Sequence, residues 1–169
     1  DDQALAAQRG HIALGHTRYA AEQARTWEAS QPTLGPGAAG TIALGINGSL
    51  TNAEELRGQL EAAGAITGEL ARGCHTDTTV IAALLSGALD AAAPTSEELA
   101  DLPAQEATAM RMLPMLRGAF SMVFIDEHTL YAARDRHGVR PLVLGRLASG
   151  WVVASETAAL DIVGATFIR

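Results

Sequence analysis

The spacing of apolar residues changes character at Arg117-Gly118. Upstream, helical periods dominate. Val80, Ile81, Leu84 and Leu85 recur three and four apart, which predicts a helix over TTVIAALLSGAL (78–89), opened by Asp77 or Thr78. Thr51 or Asn52 stands where it can cap a helix over AEELRGQLEAAG (53–64), with Glu54 and Glu55 in its first turn and Gly64 at its end. A third helix follows a linker at 90–94; Ser96 caps it, and it carries Met110, Leu113 and Leu116. Downstream, Phe120, Met122 and Phe124 alternate with Ala119, Ser121 and Val123, the pattern of a strand covered on both faces. TLYAAR, LVLGR and WVVAS have strand length and are separated by the turn signals DEH, RHG and ASG. ETAALDIV returns to helix, and ATFIR reads as a strand. In the first third, HIALGH (11–16) and TIALGI (41–46) predict strands, joined by a loop from Arg18 to Gly40 that holds Pro32, Pro36 and GPGAAG. Strands linked by hairpins and packed with helices indicate one α+β domain over residues 1–169.

Bulk properties narrow the classes. The chain has 169 residues, 48% of them hydrophobic and 18% charged, which excludes a disordered segment. No apolar run reaches the roughly 20 residues of a spanning helix, and no basic segment with an apolar core opens the chain. A formal charge of −7 without any Lys/Arg cluster speaks against a nucleic-acid partner. A single cysteine excludes an internal disulfide and points to a reducing compartment, the cytoplasm. The opening DDQALAAQ lacks an initiator Met and reads as the interior of a longer protein.

Common catalytic signatures are absent: no phosphate-cradling glycine loop, no G-x-S-x-G elbow, and no paired histidine spacing for a metal. Cys74 sits beside His75 on what reads as an extended segment, where neighbouring side chains point apart, so it reads as a small filler. Three positions suit a different chemistry. Arg18 offers a planar fork for a carboxylate, with a structural ion pair as the alternative. Asp77, at a helix start, suits an ammonium group, with simple capping as the alternative. Asn47-Gly48 follows a strand and precedes a helix, so its side-chain amide and backbone N–H could meet one oxyanion; the alternative is a strand-ending turn. Together they describe a pocket for an amino acid.

In this order, GHTRY (15–19), WEASQP (27–32), NGSLTN (47–52) and TDT (76–78) resemble the glutaminase domain of class II glutamine amidotransferases. RGAFSMVFID (117–126), ARDRHGVRPLVLGR (133–146) and WVVASETAALDIVGATFIR (151–169) resemble the amidophosphoribosyltransferase branch of that family. The resemblance implies a four-layer αββα N-terminal-nucleophile hydrolase sandwich of antiparallel sheets, incomplete here at its N-terminus. It implies an N-terminal cysteine that attacks the glutamine amide and releases ammonia. A second domain, with Mg²⁺, would transfer that ammonia to phosphoribosyl pyrophosphate in the first step of purine biosynthesis, giving 5-phosphoribosylamine. By the same resemblance Arg18 binds the glutamine carboxylate, Asp77 its ammonium, and Asn47 and Gly48 form the oxyanion hole. Tyr19 and Thr76 are further pocket residues. No cofactor or metal is expected in this chain, and a homo-oligomer is expected of the full-length protein.

The chain also departs from the family. Ile46 stands where histidine is usual, and AAEQ (20–23) places Ala21 where a threonine is usual. The cysteine nucleophile and the phosphoribosyltransferase signature are absent, so the chain alone is expected to be inactive. Alternative readings are a diverged non-catalytic binding or regulatory module, or the glutaminase domain of another class II amidotransferase; GVRPLVLGR and ASETAALD argue against the latter. Arg134, Asp135 and Arg140 read as a structural turn with charge pairing.

Overall fold

The computed structural model describes Gln3 and residues 10–18, 27–89 and 97–169. Its spine is one long strand, β2 (Gly40–Leu50). β1 (Thr33–Gly37) pairs with the first half of β2, β3 (Gly118–Ile125) with its second half, and β4 (Leu130–Arg134) with β3, giving the antiparallel order β1-β2-β3-β4. Side chains alternate across a strand, so one face of this sheet carries Ile42, Leu44, Ile46 and Leu50 of β2 with Phe120, Met122 and Phe124 of β3, all buried. The ring of Phe124 stacks on Tyr131 of β4 at 4.5 Å.

Helices cover that face. The Asp77–Leu84 helix packs on β1 and β2 and is buried from Thr78 to Leu84, which explains a sequence apolar nearly all round. The Ala53–Ala62 helix contributes Leu56 and Leu60 to the same core. A second antiparallel sheet has the order β6-β5-β7, formed by β5 (Val143–Leu147), β6 (Gly150–Ala154) and β7 (Thr166–Phe167). The Thr157–Val163 helix seats Leu160, 1% exposed, against Gly145, where an added Cβ would lie 2.8 Å from a Leu160 methyl. The result is the α+β arrangement of helices and antiparallel sheets that the pattern of residues predicts.

Several local expectations change. His11–His16 is not a strand; it alternates in burial without making a ladder. The presumed loop between Arg18 and Gly40 contains β1, whose Pro36 is tolerated because β1 is the sheet's edge. β2 does not end at Ile46 but runs through Asn47 and Gly48 to Leu50, because β3 pairs with it throughout. Asn52 holds the N-cap position of its helix without capping it: its amide donates to Met115 O (2.9 Å) and accepts from Arg117 N (3.0 Å). Thr76, not Asp77 or Thr78, caps the next helix, in a capping box with Thr79. The third helix is divided by Pro103 and Pro114 into Glu97–Ala100, Ala104–Met112 and a 3-10 turn at Leu113–Met115. Ser96 and the whole 90–94 linker lie outside the described residues.

Candidate functional site

β1 accompanies β2 only as far as the Thr33–Leu44 pair, so from Gly45 onward one edge of β2 has no neighbouring strand among the described residues. Peptide groups along that edge still need partners, and side chains supply them. Ile46 N donates to Gln31 Oε1 at 2.7 Å, and Ile46 O accepts from His16 Nε2 at 3.1 Å. Four residues on, Leu50 N donates to Asp77 Oδ2 at 2.8 Å. Gly48 lies between these two anchored residues with the same strand parity, so its N–H faces the same open edge. Its cross-strand partner Phe120 confirms the orientation by turning both peptide groups the other way, onto Asp135.

Only glycine fits there. Gly48 has φ 129°, and a Cβ would lie 2.1 Å from Ala119 O. Gly118 answers it across the ladder, with φ 147° and a Cβ that would lie 2.2 Å from Ser49 O. The two strands approach so closely because both positions lack a side chain.

A cavity of about 1020 Å³ is lined by residues of β2 and β3 in the first sheet and of β6 in the second, with His16, Arg18, Asn47, Gly48, Arg140 and Trp151 among them. No acidic residue lines it, and neither Arg18 nor Arg140 has an ion-pair partner among the described residues. Two unpaired guanidinium groups and an exposed Asn47 amide make a wall suited to an anion and to a developing oxyanion.

The predicted residues thus divide. Arg18, Asn47 and Gly48 share the cavity. Asp77 does not line it; one carboxylate oxygen, Oδ2, accepts from Ser49 Oγ (3.0 Å) and Leu50 N, the two residues that follow Gly48. Thr76 spends its hydroxyl on the helix cap, accepting from Thr79 N. Tyr19 and Ala21 lie outside the described residues. Ile46 is 6% exposed and its side chain belongs to the hydrophobic core, while the residue also contributes to the cavity lining.

The Arg134–Arg140 turn is real, but it is not charge-paired. Asp135 accepts from Phe120 N (3.1 Å) and His137 N (2.9 Å) rather than from either arginine. Burial raises its pKa, but the N–H groups of His137, Phe120, Val139 and Gly138 outweigh that and hold the carboxyl below its ordinary value. Arg140 is left to the cavity. Cys74 does not line the cavity; burial, with help from Glu69 and Glu28, pushes its thiol above the ordinary range. Sequence reasoning missed His16 and Gln31. Both lie inside the quoted GHTRY and WEASQP motifs, but nothing in one dimension shows that they meet at Ile46.

Among the described residues, no group of three His, Cys, Asp or Glu could hold a metal ion, and no helix is long and apolar enough to cross a membrane.

Comparison with known proteins supplies context for this geometry. A family described as glutamine amidotransferase domain matches residues 16–162. Amidophosphoribosyltransferase of Mycobacterium tuberculosis (strain H37Rv) is 50% identical over 100% of this chain and 30% of its own length. The chloroplastic amidophosphoribosyltransferase 2 of Arabidopsis thaliana is 38% identical over 95% of the chain and 26% of its own length. Among solved structures, the glutamine phosphoribosylpyrophosphate amidotransferase of B. subtilis, complexed with ADP and GMP, superposes with a TM-score of 0.71. It is 34% identical and covers 91% of this chain and 30% of its own. The chain therefore spans about 30% of the length of such relatives.

Proposed function

The chain belongs to the glutamine amidotransferase domain family, and from that premise we propose that it is the glutaminase part of an amidophosphoribosyltransferase, which frees ammonia from glutamine for transfer to phosphoribosyl pyrophosphate. The observation that carries this reading is the single cavity joining Arg18 with Asn47 and Gly48. The Arg18 fork binds the α-carboxylate of glutamine. Asp77 keeps Oδ1 for the α-ammonium while Oδ2 holds the strand edge. As the thiol attacks the amide carbon, its proton passes to the cysteine's own α-amine and the carbonyl oxygen becomes an oxyanion that accepts from Gly48 N–H and the Asn47 amide. On collapse the α-ammonium returns that proton to the leaving nitrogen, so ammonia departs and a thioester is left for water.

The nucleophile in this chemistry is a cysteine at a protein N-terminus. Cys74 does not fill that role: it is off the cavity, and its raised thiol pKa disfavours the thiolate. Mg²⁺ has no ligand set among the described residues, and we assign it, with phosphoribosyl pyrophosphate, to the phosphoribosyltransferase part. The cytoplasm and a homo-oligomeric full-length protein complete the proposal. The non-catalytic alternative rests on Ile46, whose side chain belongs to the hydrophobic core, and on Ala21.

The test is Arg18→Ala in the intact protein. Loss of a charge-assisted bidentate pair of about 2–3 kcal/mol raises the KM for glutamine by about 50-fold or more. An unchanged KM overturns the assignment.

A further inference from the structure

We infer that His16 and Gln31 are positioning residues for the oxyanion hole, acting through the peptide groups of Ile46. The inference rests on the glutaminase reading above and adds two residues and a physical device to it.

An open strand edge is a weak place for a catalytic donor. β3 holds one side of β2 as far as Leu50, but beyond Leu44 the peptide groups on the other side have no ladder partner among the described residues. Here the edge is held at two points. Gln31 accepts the Ile46 N–H at 2.7 Å, and His16 donates to the Ile46 carbonyl at 3.1 Å, so both peptide groups of the residue before Asn47 are fixed by side chains. At the far end Asp77 holds Leu50 N at 2.8 Å. Between the anchors stands Gly48, the residue with most conformational freedom. Its φ of 129° puts it outside what other residues adopt readily, so the direction of its N–H depends on what holds its neighbours.

Two details show that the His16 contact is built in. Gly45 faces the imidazole, and an added Cβ there would stand 3.2 Å from His16 Cδ2, so the ring lies tightly against bare backbone. Donation from Nε2 leaves Nδ1 as the ring's acceptor, and that atom is buried without a partner among the described residues. Among the described residues the ring's hydrogen bond is to the Ile46 carbonyl. His16 and Gln31 approach from separate stretches of chain, 30 and 15 residues from Ile46, and converge on one residue. A merely stabilising contact has no reason to select the residue preceding Asn47-Gly48.

The experiment separates positioning from substrate binding. In the intact protein, Gln31→Leu removes the acceptor and His16→Phe removes the donor, each at similar size. Misplacing a catalytic group by about 1 Å costs on the order of 100-fold, so each variant is expected to lower kcat for glutamine hydrolysis 10- to 100-fold. KM, and the inhibition constant of the product glutamate, should stay within about threefold, because neither residue grips the amino-acid end. Gln31→Glu keeps the acceptor oxygen and should recover kcat to within about threefold. A second readout is independent of turnover. In protein labelled with ¹⁵N-glycine, the Gly48 amide should lose order in both variants, from about 0.85 toward 0.6 on the order-parameter scale, while Gly138 does not change. Unchanged Gly48 order, or KM and the glutamate inhibition constant rising as kcat falls, overturns the inference. If the unsubstituted protein fails to hydrolyse glutamine, the functional reading falls, and Gly48 order still decides whether His16 and Gln31 hold the edge.

Discussion

Asp77 Oδ2 accepts the Leu50 N–H at 2.8 Å, and Ser49 Oγ donates to the same oxygen at 3.0 Å, tying the start of a buried helix to the open edge of β2. One carboxylate therefore has a structural side and a free side. Asp77→Asn keeps an oxygen for Leu50 N and loses the charge. It is expected to raise the KM for glutamine at least 10-fold while changing stability by less than about 1 kcal/mol. Asp77→Ala leaves Leu50 N–H without its acceptor and should cost about 1–3 kcal/mol in addition. Urea unfolding and glutamine titration of the two variants separate these effects; equal KM values for Asp77→Asn and the parent would refute the ammonium role.

The facing glycines make a second prediction. Gly48→Ala and Gly118→Ala each place a Cβ within 2.2 Å of a backbone oxygen, in a conformation that L side chains rarely adopt. Each should destabilise the protein by more than about 2 kcal/mol. Because both disturb the same strand approach, the double variant should lose less than the sum. Unfolding midpoints check both statements, and an unshifted midpoint for Gly48→Ala rejects the close approach.

Asp135 predicts an acid-side dependence. Its folded pKa is depressed below the ordinary value of 3.8 by backbone N–H groups, against the opposing push of burial. A depressed folded pKa contributes stability that is present above the unfolded pKa and is lost as pH falls through the folded one. In Asp135→Asn that contribution is absent, so the gap in stability between parent and variant should be full at neutral pH and close below about pH 4. Thermal unfolding from pH 7 down to pH 3 measures it; a gap independent of pH overturns the attribution.

For Cys74, half-buried and with its thiol pushed up by burial first and by Glu69 and Glu28 next, slow chemistry is expected. Alkylation by iodoacetamide at pH 8 should run slower than for an unperturbed thiol, since the thiolate is the reacting form. Cys74→Ala should leave glutamine hydrolysis by the intact protein within about twofold. Loss of activity in that variant would return Cys74 to the list of catalytic candidates.

Strong periodicity was readable, and its limits are physical. The alternation of Phe120, Met122 and Phe124 and the apolar spacing from Val80 to Leu84 determine a two-sided strand and a buried helix, because burial repeats at fixed intervals along each. Boundaries were less legible. β2 continues through Asn47 and Gly48 because β3 supplies partners as far as Gly118, a contact across some 70 residues that no local signal announces. Asn52 takes the N-cap position but its amide does not cap the helix, for the same reason: Met115 and Arg117 hold it instead.

The sequence by itself determined the family and nominated its candidate groups: the Arg18 fork, the Asn47-Gly48 donors and the Asp77 carboxylate are read from residue type and order. Tertiary structure alone decided how they are held. Which peptide edge lacks a strand, which side chains fill that edge, and whether Ile46 faces the core or the cavity depend on strand register and sheet closure. Those are properties of pairing between distant segments, and a one-dimensional pattern does not contain them.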